Sequence, residues 1–92
     1  MTREDKSFYW VINEADRLVK ILYKEIKHYN GVYFRIQNEI DKKIAKGITD
    51  ILRADGNDFN WDITDDNILI IVCQYELIKW NKTLSGKKEL VR

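Results

Sequence analysis

The chain contains no proline, a single cysteine, a single histidine and only four glycines. Each scarcity removes a class of protein. Without proline there is no proline-rich linker, and nothing of that kind interrupts a helix. Cys73 has no partner for an internal disulfide, and its place in an apolar run marks it as a reduced core residue, consistent with a cytosolic setting. One Cys and one His cannot supply the usual ligand set of a structural zinc site. His28 is the only histidine, so no nucleophile–base pair with a third orienting group can be assembled around a second imidazole. Near a helix C-terminus it reads as a cation favoured by the dipole. No phosphate-cradling glycine motif occurs, and no cofactor is expected. The longest uninterrupted apolar run, Ile68 to Cys73, has six residues, against roughly 20 for a membrane span. At the N-terminus Arg3, Glu4, Asp5 and Lys6 lead straight into aromatic residues, which is not the pattern of a signal peptide.

What is present is a 92-residue chain that is 45% hydrophobic and 34% charged, a composition for one small core. A domain of this size buries only somewhat more than about 60% of its unfolded surface, so partner contacts could add stability. The net charge of +1 conceals segregation. Residues 1–47 carry ten Lys/Arg and seven Asp/Glu, residues 48–78 one and seven, and residues 79–92 five and one. Opposed signs can steer identical copies into head-to-tail contact, although charge runs are also common as unrelated solvated faces.

Apolar spacing predicts an all-α fold: a three-helix domain with helices over about 7–29, 33–54 and 65–81. Val11, Ala15, Leu18, Leu22, Ile26 and Tyr29 recur at three- and four-residue steps, and Asn30-Gly31 supplies the stop. Asn30-Gly31 is also a hairpin dipeptide, and Val32, Tyr33 and Phe34 favour strands, but the residues before it keep helical spacing. Ile36, Ile40, Ile44, Ile48, Ile51 and Leu52 give the second helix its apolar face, with Gly47 allowing a close backbone crossing or a bend. Asp55-Gly56 ends it. Residues 57–63 then alternate, which predicts an extended segment turning Phe59, Trp61 and Ile63 inward.

Thr64 as N-cap, with Asp65 and Asp66 at the positive end of the dipole, starts the third predicted helix. One stripe, Ile68, Ile71, Val72, Tyr75 and Ile78, fits burial between the first two helices. A second, Leu69, Cys73, Leu77 and Trp80, is left as a candidate subunit interface, with Trp80→Ala expected to weaken assembly more than folding. The β-rich composition of Ile68 to Cys73 also allows a buried strand, against which the length of the uninterrupted pattern argues. Residues 1–82 are read as the helical domain and 83–92 as a flexible basic tail.

Binding chemistry is sparse. The loop from Asp55 to Asn60 has oxygen ligands at short intervals, but Phe59 and Asn60 fall where a calcium loop needs a ligand and a glycine, and Asp66 stands in place of the final glutamate. Asp55, Asp58, Asp62, Asp65 and Asp66 form a candidate acidic partner surface. Lys79, Lys82, Lys87, Lys88 and Arg92 are candidate basic contacts for nucleic-acid phosphate, beside Lys42, Lys43 and Lys46 on the second helix. A helix-turn-helix would need a shorter connection than the one between the second and third helices. Phe8-Tyr9-Trp10-Val11-Ile12 reads either as a binding hot spot or as core packing.

From Glu39 to Trp80 the order of a helix, a glycine turn, an aromatic extended piece and an apolar, tyrosine-containing final helix resembles small phage head-tail connector proteins. Ile44, Gly47, Ile51, Gly56, Phe59 and Tyr75 carry the resemblance. It covers about half the chain and departs at the longer, more aromatic first helix. The resemblance implies a non-enzymatic structural adaptor: a homo-oligomeric ring between portal and tail proteins, assembled in the host cytoplasm and resident in the virion, without a membrane contact. Two other classes fit the charge pattern. One is a small phage- or plasmid-encoded inhibitor binding a host protein through the acidic patch, and the other is a weak DNA-binding regulator.

Overall fold

Helical spacing from Val11 onward gives α1, Arg3–Tyr29, whose Val11, Ala15, Leu18, Leu22 and Ile26 are buried along one face. The computed structural model describes residues 3–56, 59–73, 77–83 and 88–90. Asn30 terminates the helix in the left-handed region, with φ 62, a conformation that asparagine tolerates better than most residues. The chain then enters a strand directly. β1 is Gly31–Arg35, α2 is Glu39–Asp55, β2 is Phe59–Ile63, β3 is Ile68–Cys73, α3 is Leu77–Thr83 and β4 is Lys88–Glu89. Three helices and a four-stranded mixed sheet overturn the all-α expectation.

The sheet order is β2-β3-β1-β4. β3 pairs antiparallel with both β1 and β2, whereas β4 runs parallel to β1. The helices cover both faces. Against α1 and α2 lie Val32 and Phe34 of β1, Leu69 and Ile71 of β3, and the partly buried Phe59, Trp61 and Cys73. Ile68, Ile70 and Val72 instead form the opposite cluster with Trp80 and Leu77 of α3 and with Tyr33. Central position and double cover explain why β3 reads as an unbroken apolar run: a strand buried on both faces loses the alternation that marks a half-exposed one. The two helical stripes predicted over 65–81 are redistributed by the alternation of a strand: Ile68 and Val72 face α3, while Ile71 of the same stripe joins Leu69 and Cys73 under α1 and α2, and a short helix begins at Leu77. Tyr75 lies outside the described residues.

Thr64, Asp65, Asp66 and Asn67 are a hairpin turn rather than a helix start. The Thr64 carbonyl accepts from Asn67 N–H at 3.1 Å, the Thr64 N–H donates to Ile68 O at 2.9 Å, and Thr64 Oγ1 accepts from Ile68 N–H at 3.1 Å. Asn67 has φ 61, which suits the three-residue hairpin loop closed by a left-handed residue. Hydroxyl and carboxylate acceptors serve caps and turns equally well, so Thr-Asp-Asp fits both. Asn67→Ala is expected to destabilise by about 1 kcal/mol and Asn67→Gly to leave stability unchanged or raised. Urea denaturation would measure both, and equal midpoints for the two variants would contradict the left-handed assignment.

The second helix also starts later than its apolar spacing suggests. Asn38 caps α2 with an extended backbone, its Oδ1 accepting from Asp41 N–H at 2.8 Å, while Asp41 Oδ2 accepts from Gln37 N–H at 2.9 Å. This reciprocal arrangement satisfies donors at the helix entrance, and the aromatic, β-branched residues before it form β1. Ala15 of α1 faces Gly47 of α2, where a Cβ would come within 2.9 Å of the alanine methyl. Tyr23 Oη donates to Asp55 Oδ2 at 2.5 Å. These contacts are equally spaced along both helices, so α1 and α2 run in the same direction, with β1 returning between them.

The C-terminal segment is not wholly a frayed tail. Lys88 and Glu89 pair with Val32 and Tyr33, Leu90 N–H donates to Tyr33 O at 2.6 Å, and the Leu90 side chain is buried in the α1–α2 core. An apolar side chain that fills the core ties these residues to the domain.

Candidate partner-binding surface

α1 is amphipathic along most of its length, but among the described side chains from Tyr9 to Glu14 only Val11 is buried. Tyr9, Trp10 and Ile12 are exposed around the same turn, Trp10 by 50%. Ile40, in the first turn of α2, is also 50% exposed. Because α1 and α2 are parallel, Ile40 sits level with the beginning of α1. These four apolar residues therefore share one end of the helix pair. The aromatic cluster divides between the two readings its sequence allows: Val11 packs, and Tyr9, Trp10 and Ile12 project, while the Phe8 side chain lies outside the description. Ile40 was missed because its helical phase matches Ile44 and Ile51, and only the late start of α2 leaves it at the rim.

The candidate subunit interface is dispersed. Leu69 is buried under α1 and α2, Cys73 is partly buried on that same face, and Trp80 and Leu77 pack on the other face of the sheet. Trp80 is 1% exposed, whereas Ile78, assigned to the inner stripe, is 73% exposed. A strand followed by a separate helix replaces one continuous helix, so the phase across residues 64–81 is lost. Leu69 and Trp80 are enclosed in this chain's own core and cannot present a face to a neighbour, and the partly buried Cys73 and Leu77 lie on opposite faces of the sheet.

The acidic residues are also separated. Asp55 accepts from Tyr23 at the C-terminal end of α2, while Asp65 and Asp66 lie exposed on the hairpin at the opposite end. Asp62, on β2, accepts from Asn81 Nδ2 at 3.3 Å and from its neighbour Ile63 N–H at 2.9 Å. Asp58 lies outside the described residues. Of the basic set, Lys79 and Lys82 are exposed on α3 and Lys88 is partly buried in β4, while Lys87 and Arg92 lie outside the description. On α2, Lys46 pairs with Asp50 at 3.1 Å, an exposed i,i+4 contact of the kind that supports a helix weakly.

Nothing in the described geometry assembles a reaction centre. His28 is exposed and meets Tyr29 edge-on at 4.6 Å between ring centroids. Cys73 Sγ lies 3.8 Å from Ile26 O, as a thiol donating weakly to a helix carbonyl. Among the described residues there is no group of three or more His, Cys, Asp or Glu placed to hold a metal ion. Nor is any helix among them long and apolar enough to cross a membrane. No protein-family model matches the chain, and neither a curated protein nor a solved structure matches it.

Proposed function

We propose that this chain is a non-catalytic adaptor that binds another protein through the end of the α1–α2 pair bearing Tyr9, Trp10, Ile12 and Ile40. The observation that carries the reading is the exposure of these four side chains together. The chemistry fits a partner with an apolar pocket that can enclose an indole ring and a β-branched side chain. Aromatic anchors of this kind dominate protein–protein binding energies. A head-tail connector is a narrower form of the same role. The order of α2, Gly56 and the aromatic strand β2 supports it, whereas the long final helix on which the resemblance also drew is a strand and a short helix.

The reading is tested by placing a photo-crosslinking amino acid at position 10, and as a control at position 20 on the polar face, in cells that encode the protein. One protein should be trapped from position 10 and not from position 20. With that protein purified, Trp10→Ala is expected to weaken binding by about 30-fold or more, the scale of an interface hot spot, with an unchanged thermal midpoint. Equal trapping from both positions, or an unaltered affinity, would remove this surface from the interface.

A further inference from the structure

β2 forms an edge of the sheet along five residues, Phe59–Ile63, with no described element on its outer side. Natural edge strands are usually blunted by lysine, proline, a bulge or brevity. β2 has neither lysine nor proline, and its register with β3 is continuous from Phe59 to Ile63. Its phase follows from the hairpin. Thr64 N–H donates to Ile68 O, and bonded pairs alternate along an antiparallel ladder, so Asp62–Ile70 and Asn60–Val72 are bonded pairs too. The backbone N–H and C=O groups of Trp61 and Ile63 consequently point away from β3. The Ile63 N–H confirms this orientation, since it donates to the Asp62 carboxylate and not to the neighbouring strand.

We propose that β2 pairs antiparallel with β2 of a second copy of this chain, across a twofold axis between the two Trp61 residues, joining two sheets of four strands into one of eight. The strand is self-complementary in that register. Trp61 opposes Trp61, Phe59 opposes Ile63, and Asn60 opposes Asp62, each on a shared face. An amide therefore meets a carboxylate. Sliding the pair so that the next in-phase register forms sets Asp62 against Asp62, and sliding it the other way leaves Ile63 without a partner from Phe59. Ile63, 44% exposed, meets Phe59 only in the central register, the one that also keeps the two Asp62 carboxylates apart. Aromatic and aliphatic cross-strand pairs supply the side-chain stabilisation, while the Trp61 backbone groups gain two hydrogen bonds across the axis. The contact is one strand pair, well below the area of a standard stable interface, so the dimer forms reversibly with concentration. This surface is independent of the adaptor reading and uses none of its four residues.

Sedimentation equilibrium over a wide concentration range should give a reversible monomer–dimer equilibrium. Ile63→Lys, a change at an exposed edge position, should weaken dimerisation at least tenfold. In an equimolar mixture of isotope-labelled and unlabelled wild-type protein, filtered nuclear Overhauser spectra should connect Ile63 methyls with the Phe59 ring across the axis. A wild type that stays monomeric throughout overturns the proposal, as does a dimer that Ile63→Lys leaves intact or whose intermolecular contacts lie elsewhere. A monomer that accepts an unrelated extended peptide along β2 would assign the edge to a different occupant. Loss of the dimer with trapping from position 10 retained would sink this proposal alone.

Discussion

Trp80→Ala is expected to destabilise the fold by about 3–5 kcal/mol, the usual cost of emptying a buried tryptophan site. The indole is almost wholly enclosed between α3 and the sheet, packed with Ile68, Ile70 and Val72 of β3. α3 spans only Leu77–Thr83 and has no length with which to form alone. Removing its anchor should release the helix and bare one face of the central strand. Small domains have only about 5–15 kcal/mol in total, so the loss is a large fraction of what holds this one together. Urea denaturation would show a lowered midpoint, and hydrogen exchange would show faster opening of β3 amides. A stability change below about 1 kcal/mol would mean that the indole is not the anchor described, since core truncations of this size cost several times as much.

The second large effect is at Gly31. A Cβ there would clash with the Cε2, Cζ2 and Nε1 atoms of the Trp80 indole, and the strand backbone beside it is fixed by pairing of Gly31 with Val72. Gly31→Ala should therefore cost about 1–3 kcal/mol through overpacking, although alanine is otherwise tolerated in strands at least as well as glycine. The cause is separable from backbone effects by a double-mutant cycle. In a Trp80→Leu background the added methyl has room, so Gly31→Ala should cost much less there, with a coupling of about 0.5–3 kcal/mol. Additive costs in the two backgrounds would place the origin of the glycine requirement outside the Trp80 contact.

How far the sequence discloses this fold depends on what each segment packs against. α1 is legible because one face is buried and the other wet, and Asn30 marks its end in the conformation that its side chain tolerates. The interior of α2 is legible for the same reason, Gly47 included, since its hydrogen atoms admit Ala15. β2 alternates, with Trp61 held beneath Arg53 at 5.4 Å and Ile63 left outward at the edge. β3 is illegible by periodicity. Enclosed on both sides, it keeps no phase for a helix or a strand to imprint, and only its β-branched composition and the turn at Thr64–Asn67 distinguish the two. β1 was obscured in another way: Ile36 and Ile40 extend the spacing of α2 backwards across the Asn38 cap to the residue that follows the strand. Leu90 carried too little pattern to betray that β4 returns to the sheet beside β1. The exposed residues at the start of α1 were visible as an aromatic cluster, but their exposure depends on how far α1 extends relative to α2, which is a tertiary fact.

The shared direction of α1 and α2 has an electrostatic side. Two parallel helices add their macrodipoles instead of cancelling them, which gathers partial positive charge, of order half an elementary charge per helix, at the end where both begin. The β2–β3 hairpin turns at that end, because Asn67 O accepts from Ile36 N–H just before α2 starts. Its Asp65 and Asp66 carboxylates are thereby held near the positive pole. Two of the residues that make the middle of the chain acidic are thus carried by the hairpin to the end of the fold where both helices begin.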